Sequence, residues 1–191
     1  MTKKNLIAQI GAPILRKKTK EVKLVDISSQ KVKKIIKQLI TTMRNLNGAG
    51  LAANQIFFNL RICVIELQNN KRYKHISNIP LTVLINPKIK VMNKNSTFDS
   101  YEGCLSVPNI RGIVKRFTEI KVEYFDENKN FVSKNISGFP AIVYQHEIDH
   151  LDGILFTDKV FDNETLVSNL NYVKYYEKKY LQDIKKRFAN Q

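Results

Sequence analysis

Apolar residues recur at three- and four-residue intervals in Val32, Ile35, Ile36, Leu39, Ile40 and Met43, while Lys31, Lys33, Lys34 and Lys37 fill the opposite side. Ser28-Ser29 just ahead can satisfy the open N–H groups of a first turn, so a helix is predicted over about residues 28–46. Alternating or β-branched runs predict strands over about residues 62–67, 82–86, 120–125 and 131–136. The polar stretch Asp126-Glu127-Asn128-Lys129-Asn130 reads as a hairpin turn, which makes the last two strands antiparallel neighbours. A second helix, about residues 139–151, is apolar on several sides through Ala141, Ile142, Val143 and Ile148, the pattern of a helix running through a core. From about Glu164 a final helix carries a stripe of Leu166, Leu170, Val173, Tyr176, Tyr180, Leu181, Ile184 and Phe188. The expected fold class is α+β: mostly antiparallel strands around a central helix, with an N-terminal helix and a C-terminal amphipathic helix spanning about residues 164–191.

Composition bounds this picture. A chain of 191 residues is long enough for one full core, and no linker, repeat or low-complexity block divides it, so residues 1–191 are read as a single domain. The two cysteines imply no disulfide framework, and Cys63, within Ile62-Cys63-Val64-Ile65, reads as a small buried residue. Met1-Thr2-Lys3-Lys4-Asn5 leads into an apolar stretch too short for a signal peptide, and no later run is long enough to span a membrane; the expected location is cytoplasmic. The net charge of +15 is concentrated near the start, where Lys3, Lys4, Arg16, Lys17, Lys18, Lys20, Lys23, Lys31, Lys33, Lys34 and Lys37 face only Glu21 and Asp26 in the first 40 residues. That balance fits either a general lysine bias or a basic face that meets polyanions, and no motif for sequence-specific nucleic-acid binding accompanies it.

The chemistry gathers in three short segments. His146-Glu147-Ile148-Asp149-His150 sets two imidazoles four residues apart, about 40° from each other around a helix, where they can share one metal ion. Glu147, off the imidazole face, is placed to move protons on a metal-activated water. Two histidines on a helix can also be ordinary core or surface residues, so a third ligand is the discriminating requirement. Cys104, in Glu102-Gly103-Cys104-Leu105-Ser106-Val107-Pro108, is the best candidate, and its flanking glycine and proline argue for tight, irregular or edge backbone. Gly48-Ala49-Gly50-Leu51-Ala52-Ala53-Asn54-Gln55 reads as a helix end and loop whose small residues allow close backbone approach, and its Gln55 amide can donate two hydrogen bonds.

In this order and spacing, G-A-G-L-A-A-N-Q, E-G-C-L-S and Q-H-E-I-D-H-L-D-G resemble the three signature motifs of the peptide deformylase family, and Gly11-Ala12-Pro13-Ile14-Leu15-Arg16 is similar to the family's N-terminal segment. The resemblance implies removal of the formyl group from the N-terminal formyl-methionine of newly made polypeptides. It carries Cys104, His146 and His150 over as metal ligands, Glu147 as general acid and base, and Gln55 with the Leu105 backbone N–H as donors to the oxyanion. It implies a substrate pocket around Ala49, Phe139, Ile142 and Val143, Arg111 near the downstream residues of the peptide, and main-chain contacts at Ala49, Gly50 and Gly103. Ala49, Asn54, Ser100 and Phe139-Pro140 depart from the family's usual text, which leaves the pocket's shape open.

One divalent ion per chain is expected, with ferrous iron first by resemblance and zinc or nickel as the other candidates, since one thiolate and two imidazoles suit several first-row metals. In some similar enzymes the C-terminal helix docks on the ribosome; here Lys185-Lys186-Arg187 would be its basic end. Two other classes stay open: a zinc metallopeptidase, whose third ligand usually lies downstream of the helix rather than 42 positions upstream as Cys104 does, and a catalytically silent, basic ribosome- or RNA-binding protein.

Overall fold

The computed structural model describes residues 7–67 and 78–188; Met1 to Asn5, with Lys3 and Lys4 of the basic group, lie outside them. The N-terminal helix α1, Gln30–Asn45, begins where the Ser29 hydroxyl accepts the Val32 N–H at 3.2 Å. Its buried face of Val32, Ile35, Ile36, Leu39 and Met43 packs with Leu51, Ala53, Ile62 and Val64, and its lysines point to solvent.

Among the described residues, eight strands form two sheets: β1 (Gly50–Ala52), β2 (Ile62–Leu67), β3 (Ile79–Val91), β6 (Glu119–Phe125) and β7 (Phe131–Ser137) in the order β1-β2-β3-β6-β7, and β4 (Thr97–Cys104), β5 (Val107–Phe117) and β8 (Val167–Ser168) in the order β4-β5-β8. Every ladder is antiparallel. The hairpin expected at residues 126–130 joins β6 and β7, where Asp126 Oδ1 accepts the N–H groups of Asn128 and Asn130, each at 2.8 Å, and Lys129 takes φ 68°. Strand β3 runs well beyond the expected 82–86, with a register shift between Ile85 and Lys88 at Asn86-Pro87. Asn86 has φ 54° and proline lacks a ladder donor, so this irregularity hid a long strand behind a short apolar run.

The central helix α2, Phe139–Leu151, starts after Gly138, whose φ of 71° and ψ of −150° suit glycine, with Pro140 in its first turn. It packs against strands of both sheets and buries residues on all sides. Gly153 stops it at φ 78°, and a side chain there would come within 2.9 Å of the Arg16 backbone.

Two regions differ from expectation. The first motif is not a loop after a helix: Gly50–Ala52 is strand β1, and Ala53–Ile56 is a 3-10 turn whose four residues are all buried. At the other end, the continuous helix expected from Glu164 is broken. Asp162 accepts the Glu164 N–H to start a short turn, β8 then pairs with Ile110 and Arg111 of β5, and Ser168 caps a single turn, α3 (Asn169–Asn171). A π-helical stretch, Tyr172–Tyr176, leads into α4, Glu177–Phe188. Leu166 lies ahead of β8, outside any helix, and the wider π turn shifts the phase of the helical residues after it, so Leu166, Leu170, Val173 and Tyr176 of the expected stripe are 37–83% exposed, while Tyr172, Tyr180, Ile184 and Phe188 are buried.

Candidate metal centre and active-site pocket

Strand β4 delivers one half of the site. Side chains two apart on a strand share a face, so Ser100, Glu102 and Cys104 line up on the side turned toward α2. At its end the register shifts from Gly103↔Arg111 to Cys104↔Val107, with Pro108 and Asn109 (φ 63°) among the extra residues on β5. This bulge, followed by the Leu105-Ser106 turn, aims the Cys104 thiol back at the helix.

Helix α2 delivers the other half. His146 and His150 sit one turn apart with ring centroids 4.9 Å from each other, and Cys104 Sγ lies 3.2 Å from His150 Nε2. One donor atom from each of Cys104, His146 and His150 falls within 4.8 Å of the others. His146 Nδ1 is 2.8 Å from Glu102 Oε2, which fixes the ring and turns Nε2 inward, the arrangement usual for a ligating histidine. Glu147 is buried and its Oε2 has no hydrogen-bond partner among the described residues. Gly50 makes room for it: a Cβ at residue 50 would stand 2.5 Å from the Glu147 carboxyl carbon.

These charges act on one another. Burial raises the Cys104 thiol, but the charges and hydrogen bonds of His150 and His146 outweigh it and bring it well below its ordinary value, toward the thiolate a metal needs. Burial lowers His146, yet Cys104 and Glu102 together raise it well above the usual imidazole range. Burial pushes Glu147 up to about 7, only partly opposed by the two histidines. Glu102 is held at about 2 despite burial, because Arg116 grips both its oxygens at 2.6 and 2.9 Å. Arg116, 2% exposed, also donates to Asp149 of α2 at 2.5 Å.

The expected residues converge. Ala49, Gly50, Gln55, Gly103, Cys104, Leu105, Arg111, Phe139, Ile142, Val143, His146 and Glu147 line one cavity of about 280 Å³, with His150 behind its wall at 1% exposure. The Gln55 amide is fixed at both ends: Oε1 accepts the Ala52 N–H at 2.8 Å, and Nε2 donates to Ser106 Oγ at 3.0 Å and lies 3.6 Å from Cys104 Sγ. Arg111 is held toward the C-terminal segment, with its Nε on Asn169 Oδ1 at 2.9 Å and its guanidinium 4.6 Å from the Tyr172 ring. Sequence reasoning gave no part in the site to Glu102, Ser106, Arg116, Asn169 or Tyr180, although all of them touch the lining residues or form part of the wall. Glu102 alone had a signal, standing two residues before Cys104 on what proves to be a strand.

Three soft and borderline donors fit one first-row ion, and the carboxyl beside them faces a cavity open to a substrate. The protein is a metal-dependent hydrolase. Residues 4–165 match the family model of polypeptide deformylase. The chain is 39% identical over 166 residues to peptide deformylase 2 of Nostoc sp., covering 87% of this chain and 91% of that protein. It is 38% identical over 155 residues to peptide deformylase of Leptospira biflexa, covering 81% and 86%. Among solved structures, the Met-Ala-Ser-bound class I type b peptide deformylase from Acinetobacter baumannii superposes with a TM-score of 0.76 at 33% identity, covering 81% of this chain and 96% of that one. The Thermotoga maritima peptide deformylase gives 0.70 at 34%, covering 82% and 97%. This chain belongs to the polypeptide deformylase family, whose reaction is removal of the N-formyl group from nascent peptides.

Proposed function

We propose that Cys104, His146 and His150 hold one divalent ion, Fe(II) in the working enzyme, and that Glu147, Gln55 and the Leu105 N–H carry out deformylation of formyl-methionyl chains around it. The observation that carries this reading is the meeting of the three donors within 4.8 Å beside the buried Glu147. An ion bound there would supply Lewis acidity and lower the pKa of water toward neutrality.

The chain's own residues do the rest. Glu147 accepts the proton of the attacking water and returns it to the departing amine, which leaves formate and a free N-terminus. Gln55 Nε2, fixed by Ser106, and the Leu105 N–H donate to the oxygen that gains charge as the formyl carbon becomes tetrahedral. Glu102 keeps the His146 ring oriented, and Arg116 keeps Glu102 ionised. The apolar wall of Phe139, Ile142 and Val143 accepts the methionine side chain, and Arg111 stands where the peptide leaves the pocket.

Among the described residues no helix is long and apolar enough to cross a membrane. Lys185, Lys186 and Arg187 are exposed on α4, which supports ribosome docking by the helix's basic end. Formate release from formyl-Met-Ala-Ser by Fe(II)-reconstituted protein tests the reading. Cleavage of an internal peptide bond instead would make the protein a metallopeptidase, and neither product would leave it a binding protein.

A further inference from the structure

The cavity runs away from the metal donors. On α2 its lining steps back from His146 through Val143 and Ile142 to Phe139, about 10 Å along the axis at 1.5 Å per residue. Ser100 lies four strand residues before Cys104, about 13 Å from it along β4. The far end of the cavity is therefore bounded by Phe139, Ser100 and, from the C-terminal helix, Tyr180. The Ser100 and Tyr180 hydroxyls are 2.6 Å apart, and both residues are buried, at 1% and 5% exposure. The Tyr180 ring is fixed against Phe98 and Tyr101.

At the far end of a pocket walled by Phe139, Ile142 and Val143, the lining residues Ser100 and Tyr180 thus carry a pair of hydroxyls. In a hydroxyl pair one O–H serves the other oxygen. When Tyr180 donates, the Ser100 hydrogen turns to the pocket; when Ser100 donates, its lone pairs do. Resting on the deformylase reading, we propose that the Ser100–Tyr180 pair is a specificity determinant, favouring an N-terminal side chain that carries a hydrogen-bond acceptor near its end over its hydrocarbon isostere. The thioether sulfur is a weak acceptor of this kind and the sulfoxide oxygen a stronger one, whereas norleucine has none. The segment beyond the family-matched residues 4–165 thereby helps select the substrate.

The test compares kcat/KM for formyl-Met-Ala-Ser, formyl-methionine-sulfoxide-Ala-Ser and formyl-norleucine-Ala-Ser in the metal-loaded full chain and in Ser100→Ala/Tyr180→Phe. The double variant removes both hydroxyls of the pair together, so neither is left facing an absent partner hydroxyl. The wild type should turn over both sulfur substrates roughly 3- to 10-fold better than norleucine, mainly through KM, and the double variant should bring these ratios to within about twofold of one. Ser100→Thr, which keeps the hydroxyl, should retain the wild-type ratios, a result that loosened packing would not give. Should the double variant fail to fold, Tyr180→Phe alone carries the comparison. Equal ratios in wild type and variant overturn the proposal while leaving the deformylase reading intact; no formate from any of the three overturns that reading too.

Discussion

Helices α2 and α4 are nearly equal in length, yet they differ in almost everything else. Helix α2 is buried on all sides; its Gln145, His146 and Asp149 are paired by the rest of the site, Glu147 faces the cavity, and His150 meets Cys104 through Nε2 while its Nδ1 has no partner among the described residues. Helix α4 is amphipathic, with Tyr180, Ile184 and Phe188 buried beneath exposed lysines. Burying a helix with charged groups is expensive unless every charge is paired, so α2 is sustained by a network whose purpose is chemical. Helix α4 needs only its stripe. A change on α2 should therefore act on turnover, and a change on α4 on stability, with Tyr180 as the residue where the two roles meet.

The largest test of this contrast is Glu147→Gln. It should keep the metal and reduce deformylation by roughly 10²- to 10⁴-fold, about 3–5 kcal/mol of transition-state stabilisation, read as formate release at matched metal content. Wild-type rates in the variant would take the proton carrier out of α2.

Arg116→Met probes the network beneath the helix. It leaves buried Glu102 with His146 alone and Asp149 with Lys159 alone, and breaking a buried pair in this way costs about 3–5 kcal/mol, visible in denaturant unfolding. Metal affinity should fall with it, because His146 loses its fixed partner. A variant as stable as the wild type would mean that water already compensates these charges.

Gln55→Ala should lower kcat by roughly 10²- to 10³-fold while changing KM little, since the donor acts on charge that appears only in the transition state. A rise in KM alone would make Gln55 a ground-state contact.

On α4, Ile184→Ala should cost about 2–4 kcal/mol of stability and leave the kcat of the folded fraction unchanged. Loss of turnover without loss of stability would erase the distinction between the helices. The smallest expected effect on the fold is at Lys185, Lys186 and Arg187. Their joint change to Gln should move stability by no more than about 0.5 kcal/mol, while weakening ribosome binding in a salt-dependent way if α4 docks there. Identical binding across a salt series would withdraw that role.

The contrast also explains what could be read from the sequence. Helix α2 was legible to the residue because Gly138, Pro140 and Gly153 punctuate it and because its chemistry demands a four-residue spacing. Helix α1 was legible through its periodicity and its Ser29 cap. The C-terminal segment misled because a π turn changes the helical period locally, so residues counted on one stripe belong to two. Strands β4 and β5 escaped notice for another reason: Glu102 and Arg116 occupy positions that look solvent-facing in the sequence and are buried only because they meet each other. Pairwise compensation of this kind leaves no mark on a hydropathy pattern. The candidate metal donors and the carboxyl beside them were legible for the opposite reason, that chemistry restricts residue type and spacing more tightly than packing does.

The division of the three donors between a hairpin and a helix also sets a time order. Cys104 stands at the end of β4 and the imidazoles on α2, 42 and 46 residues later, so no local segment can present the full set before the two halves dock. An ion that recognises only the docked form stabilises the native state by mass action and does little for the chain while it is still finding its topology. In kinetic terms the ion is a latch. Adding it should slow unfolding in proportion to its affinity and leave the refolding rate where it was, which chevron plots with and without the ion will read directly.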